Sequence, residues 1–171
     1  MNAIALLRGQ LKSANSFLVQ TLGDVTSEQA RWTPPGTAHP IVAIFAHGIY
    51  AEDYAINELL RGERALYASS FEGRTGIGDP SPYISPEWAR GLSFDREQAL
   101  AYAAAVAEAT DAYVATLSDD DLDREIDLTA VGWGKSPLHF ILSAIVLAHL
   151  NNMTGEISCL KGLQGLKGYP I

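Results

Sequence analysis

The sequence contains one cysteine, Cys159. No intrachain disulfide can form, and zinc sites built on paired cysteines are excluded. Cations are scarce: Lys and Arg total 12 against 20 Asp and Glu, a formal net charge of −8. That balance offers no basic footprint for a nucleic acid, and no nucleic-acid partner is expected. Part of the acidity is local, in Asp119 to Asp123, whose simplest use is to cap or solvate a helix end. No nucleophile-elbow serine, no HExxH and no phosphate-binding P-loop occurs in the chain. Gly76-Ile77-Gly78 lacks the following glycine and the strand–helix setting of a dinucleotide loop. The segment MNAIALLRGQLKSA has no basic stretch ahead of an apolar one and no evident cleavage site. It is expected to be a first helix rather than a leader, with the cytoplasm as the location.

What is present is apolar and helical in rhythm. Hydrophobic residues make up 47% of 171 positions and charged residues 19%, which suits one globular domain spanning 1–171. The longest apolar run is 136–163, SPLHFILSAIVLAHLNNMTGEISCLKGL, with Ser136 as the expected N-cap and Pro137 at the first helical position. By length alone it could cross a bilayer. His139, His149, Asn151 and Asn152 instead argue for a core helix, with no membrane partner. Cys159 on this helix reads as a small buried residue.

Ile4, Leu7, Leu11, Ala14, Leu18 and Leu22 mark a helical stripe over 3–22. Thr26 to Gln29 has capping-box spacing, and Trp32 is expected to plug one end of a bundle. A second helix is expected over 40–61, a third, alanine-rich, over 95–117 with Asp95 as cap, and the last over 137–162. Between the second and third, glycines and prolines (Pro80, Pro82 and Pro86 among them) bar a long helix from 63–92. Loops of that length are often functional or act as lids, and Tyr67, Phe71, Tyr83 and Trp88 argue that this one packs on the bundle. Residues 125–133 alternate weakly and are expected to be extended. The expectation is an all-α four-helix bundle, up-down-down-up, with a long connection between helices 2 and 3.

Bundles build ligand and metal sites from side chains on facing helices. His47 lies centrally in helix 2 and His149 centrally in helix 4. Asn152, Met153 and Glu156 share the His149 face at three- and four-residue steps. Met153 stands one turn beyond His149, and its thioether is a poor donor to zinc or nickel(II). Asp53 or Glu52 could add a carboxylate from helix 2, although the helical angle to His47 is unfavourable. Tyr50 and Tyr54 are candidates for lining a pocket. Whether the two histidines meet hydrogen-bond partners or a metal stays open on these residues alone.

The stretches SEQARW at 27–32, IFAHGIYAED around His47 and HLNNMTGEISCLKGL at 149–163 resemble the DinB/YfiT-like family of four-helix bundles over nearly the whole chain. The resemblance implies a metal triad: a His-x3-His pair on the last helix plus a helix 2 histidine. His149 and His47 match two of its members, and Met153 stands at the third. A divalent nickel or zinc ion is accordingly expected to bind weakly or not at all. The implied activity is that of a metal-dependent hydrolase or thiol S-transferase acting on a small molecule, with a degenerate His-His-Met triad. The alternative is a non-catalytic ligand-binding or stress-associated bundle that has lost the metal. A homodimer is the family-level expectation.

Overall fold

Residues 2–81 and 83–171 are described in a computed structural model; Met1 and Pro82 lie outside the described residues. Four long helices carry the fold, in the order the sequence periodicity predicts. Helix α1, Ala3–Leu22, buries the stripe Ile4, Leu7, Leu11, Ala14, Leu18 and Leu22. Its first free N–H groups are met from far along the chain: the Asp119 carboxylate accepts from Ala3 and Ile4 at 3.1 and 3.0 Å. The acidic run therefore caps a helix, and its charge sits at the positive end of the α1 dipole. Helix α2, Ser27–Arg31, is a single turn held by the Thr26–Gln29 capping box. Trp32 follows it, half-buried against the core.

Helix α3, Ile41–Asp53, begins after Pro40 and passes without a break into a π-helical turn, Tyr54–Leu60. Gly62, at φ +68°, ends it in a conformation that costs other residues energy. The long connection is pinned rather than free. The Asp53 carboxylate accepts from the Leu66 and Tyr67 N–H groups at 2.9 and 3.0 Å, fixing the 3-10 turn Leu66–Ala68. Further on, Gly76 O accepts from Asp95 N at 2.8 Å, which lays the connection on the start of the next long helix. A Cβ at Gly76 would stand 2.6 Å from Ala99 N, so only glycine permits that approach. The connection closes with α4, Pro86–Gly91.

Helix α5, Arg96–Ala115, is capped by Asp95, whose side chain accepts from Gln98 N. The chain then makes the 3-10 turn Asp119–Asp123 and a hairpin, β1 Glu125–Leu128 against β2 Gly134–Pro137. The extended reading of 125–133 holds only for its first residues. Ser136 and Pro137 do not start the last helix as expected. Ser136 pairs with Ile126 in the hairpin, and Pro137, at ψ 148°, is still extended. The last helix starts at Leu138 and runs to Leu163 as α6 Leu138–Phe140, a second π-helical turn Ile141–Leu147, and α7 Ala148–Leu163.

Helix α1 packs on α5 and α7, and α3 packs on the same two from the opposite side. Buried Lys161 near the end of α7 donates to Thr21 O at 2.7 Å and to Asp24, tying it to the end of α1, so these two run parallel. Arg8 near the start of α1 meets Asp111 near the end of α5 at 2.8 Å, so that pair is antiparallel. The order is up-down-down-up. The last helix has the length and hydropathy of a membrane span, but its buried side is spent on α1 and α3. Cys159 is exposed, contrary to the sequence reading, because it lies on the face turned from those neighbours.

Candidate functional site

Where α3 faces the last helix, the two axes close on each other at Gly48. An added Cβ there would lie 3.1 Å from Met153 Cγ. This contact buries Met153, which is 7% exposed. Beside it the rings of His47, next to Gly48, and His149, one turn before Met153, meet edge to face, with centroids 4.9 Å apart. Helices packed on glycine and methionine thus hold two half-buried imidazoles in van der Waals contact.

The imidazoles form one wall of a cleft of about 810 Å³. Helix α3 and its π-helical turn contribute Tyr50, Tyr54 and Leu59 to it, and the last helix contributes Ile145 and Asn152. The long connection adds Tyr67 and Tyr83, and the hairpin turn adds Trp133. Both π-helical turns lie on this cleft. The widened backbone turn is a recurrent feature of functional sites.

Neither histidine ring hydrogen-bonds a protein group among the described residues. Burial, followed by the charge of His39, pulls the His47 pKa below its ordinary value. Burial, followed by His47, lowers His149 to about 4. Both rings are therefore neutral at pH 7, each with one N–H and one lone pair to offer. Burial first, then the negative charges of Asp79 and Asp53, raise Tyr50 to about 12 against the opposing Thr75 hydrogen bond. Its hydroxyl is committed, donating to Gly78 O and lying 3.0 Å from Thr75 Oγ1. Tyr50 thus anchors the long connection while its ring faces the cleft.

Of the residues singled out from sequence, His47, His149, Tyr50, Tyr54 and Asn152 come together on the cleft. Asp53, Met153 and Glu156 do not line it. Asp53, 0% exposed, points into the bundle. Its oxygens accept from Tyr102 Oη at 2.7 Å and Asn57 Nδ2 at 2.7 Å besides the two backbone N–H groups. Glu156 is exposed, and Met153 lies beneath the imidazoles between the helices. Glu52 also turns inward. Its Oε1 accepts from Asn15 Nδ2 at 2.9 Å and Thr110 Oγ1 at 2.7 Å, while its Oε2 and Asn15 Oδ1 lack partners among the described residues. Burial raises the Glu52 pKa above 4.5, against those two bonds and with the help of Asp53.

Tyr67, Tyr83 and Trp133 line the cleft from outside the helical stripes that the sequence periodicity marks. The available signal was aromatic side chains in segments otherwise made of turn formers. The ion that the sequence resemblance implies is divalent nickel or zinc. Two imidazoles on facing helices suit such an ion, but the third position holds a thioether packed on Gly48. No group of three His, Cys, Asp or Glu positioned for a metal occurs among the described residues. The residues present do not fit a nickel or zinc site built on three His, Cys, Asp or Glu ligands.

The arrangement defines an all-α bundle with a cleft between its second and last long helices. A sequence model of the DinB superfamily matches residues 10–154, and the chain belongs to that superfamily. A crystal structure of a conserved protein from Enterococcus faecalis is similar, with a TM-score of 0.81 at 18% identity. The match covers 95% of this chain and 97% of that one, and at this identity it speaks for the fold alone. No curated protein matches the sequence.

Proposed function

We propose that this DinB-superfamily bundle binds a small organic molecule in the cleft between α3 and the last helix, with His47 and His149 as its polar end. The observation that carries this is the pair of imidazoles in edge-to-face contact, without hydrogen-bond partners among the described residues, on the wall of an aromatic cleft of about 810 Å³. That volume suits a ligand of drug-like size, and an apolar wall with a few convergent polar groups is the usual make-up of such sites. A neutral imidazole can orient a ligand by donating or accepting, or can take a proton from it as a general base. Asn152 and the Tyr54 side chain supply further polar atoms on the same walls.

A fragment screen followed through the imidazole resonances of His47 and His149 tests this. Ligands should shift both resonances, and His149→Ala should weaken them at least tenfold. Ligands that leave both imidazoles undisturbed would place binding elsewhere.

A second reading follows from the edge-to-face approach of the two rings at 4.9 Å. Here His47 and His149 hold a divalent nickel or zinc ion, with water or substrate in the remaining positions, and the protein is a hydrolase or thiol S-transferase. When bound, such an ion supplies Lewis acidity or activates a water. Asn152 is the cleft residue available as a third donor. Elemental analysis of protein purified without an affinity tag, beside His149→Ala, separates the readings. A stoichiometric metal lost in the variant supports the second, and substoichiometric metal in both supports the first.

A further inference from the structure

We infer that the ligand of this cleft is an organic cation, a protonated amine or quaternary ammonium carried on an apolar or aromatic body, held against tyrosine and tryptophan faces. The inference rests on the proposed small-molecule reading of the same cleft and names the ligand's class.

The cleft contains Tyr50, Tyr54, Tyr67, Tyr83 and Trp133, and no Lys, Arg, Asp or Glu among the described residues lines it. A carboxylate or phosphate ligand would find no cation there. No helix N-terminus serves instead, since no residue from the first turn of a long helix lines the cleft. Aromatic faces carry negative quadrupole potential and attract a cation lying over them, most strongly when water is excluded. Tyr50 and Tyr67 both line the cleft and meet edge to face at 5.5 Å, with their ring planes 85° apart.

Carboxylates lie close to these tyrosines. Asp53 binds the Tyr67 N–H from within the bundle. After burial, Glu58 and Asp53 are the next causes that raise Tyr67, and Asp79 and Asp53 act likewise on Tyr50. The adjoining cavity of about 550 Å³ shares Tyr67 and Pro80 with the cleft and sets Arg64 against Glu72, Asp79 and Asp95. The field behind the rings is net negative, as is the whole chain at −8. A cation gains from that field without needing a direct ion pair. The imidazole rings of His47 and His149 on the cleft wall add nitrogen atoms that an ammonium N–H can donate to.

The test compares three benzyl probes of similar shape by calorimetry and ligand-observed NMR: benzyltrimethylammonium, its uncharged carbon isostere (2,2-dimethylpropyl)benzene, and the anion phenylmethanesulfonate. The cation should bind at least tenfold more tightly than the isostere, and the sulfonate should not saturate. Trp133→Leu and Tyr83→Leu should each weaken the cation severalfold. These side chains are 56% and 78% exposed, so both variants are expected to fold, and melting curves check that they do. Equal binding of the isostere, or tighter binding of the sulfonate, overturns the cation assignment and leaves the cleft reading standing. Saturation by none of the three, or cation binding indifferent to both substitutions, overturns the inference; the fragment screen then decides the cleft reading by itself.

Discussion

Replacing Glu52 by Gln should make the protein more stable at neutral pH, although it removes a charge-bearing residue from the centre of the bundle. Glu52 is 2% exposed, and Asn15 from α1, Thr110 from α5 and its own neighbour Asp53 face it, with no cation among them. An ionised carboxylate in that setting is costly, so the folded protein favours the protonated form. The two orphaned atoms, Glu52 Oε2 and Asn15 Oδ1, belong to the same pair of side chains. A proton on Oε2 can be donated to Oδ1, giving a two-bond ring with the Asn15 Nδ2–H donated to Oε1. A glutamine supplies the same donor without taking a proton from solvent.

An unsatisfied buried group costs about 1–3 kcal/mol, so pairing the two should yield a gain on the order of 1–3 kcal/mol at pH 7. The pH dependence has a definite sign. A raised folded-state pKa means that the Glu52 contribution is full below its unfolded value, near 4.5, and is lost as pH rises toward the folded value. The loss is at most about 1.4 kcal/mol per pH unit. Urea unfolding of wild type and Glu52→Gln from pH 4 to 8 reads the difference directly, because other titrating groups are common to both. The gap should be small at pH 4 and widen with pH. A variant less stable by more than about 1 kcal/mol at pH 8, or a gap that does not change with pH, would refute the reasoning.

Met153→His should lower the melting temperature in metal-free buffer, since it buries a polar ring against Gly48, and should gain a nickel- or zinc-dependent rise that the native protein lacks or shows weakly. Equal metal-induced shifts in both proteins would show that residue 153 is not the missing ligand. The His149 pKa of about 4 lies below its ordinary 6.5, so its contribution is full above 6.5 and is lost as pH falls from there toward 4. His149→Asn should flatten that acid limb, and an unchanged limb would count against a buried neutral ring. Tyr50→Phe removes the hydroxyl that holds Gly78 O and Thr75. It should cost about 0.5–1.5 kcal/mol and speed hydrogen exchange selectively in 75–79. Asp119→Ala strips the distant cap from α1 and should cost about 0.5–2 kcal/mol by urea unfolding, while Asp120→Ala, whose carboxylate caps nothing among the described residues, should cost less.

The long helices were legible because their apolar residues repeat at helical spacing and their caps are local in sequence. Thr26 with Gln29 and Asp95 with Gln98 are examples that the structure reproduces. Ser136 and Pro137 carry an equally good local signal for a helix start and do not provide one, because strand pairing with Glu125 and Ile126 claims them. That partner is a tertiary choice, invisible to a window of a few residues. The histidine pair could be placed together because each lies mid-helix on a stripe. The directions of Glu52, Asp53 and Glu156 were harder to read. A helical wheel gives an angle around one axis but does not say that Tyr102, Thr110 and Asn15 wait inside to receive a carboxylate. The aromatic walls of the cleft come from a loop and a hairpin, where no periodicity assigns a side chain to a face.

The two widened turns, Tyr54–Leu60 and Ile141–Leu147, bear on how relatives of this chain should be compared. A π-helical turn holds the place of one surplus residue in an otherwise α-helical path. Delete that residue and everything beyond it swings by about 100° around the axis. In the first widened turn the swing would carry Leu59 off the cleft wall. The widened turns therefore act as insertions hidden inside helices, where alignment procedures most resist opening a gap. A relative without them, lined up gap-free against this sequence, would slip by one position between its two conserved-looking helix halves. Its pocket residues would then be matched to residues facing elsewhere, so family-wide inferences about this pocket depend on where that one-residue gap is set.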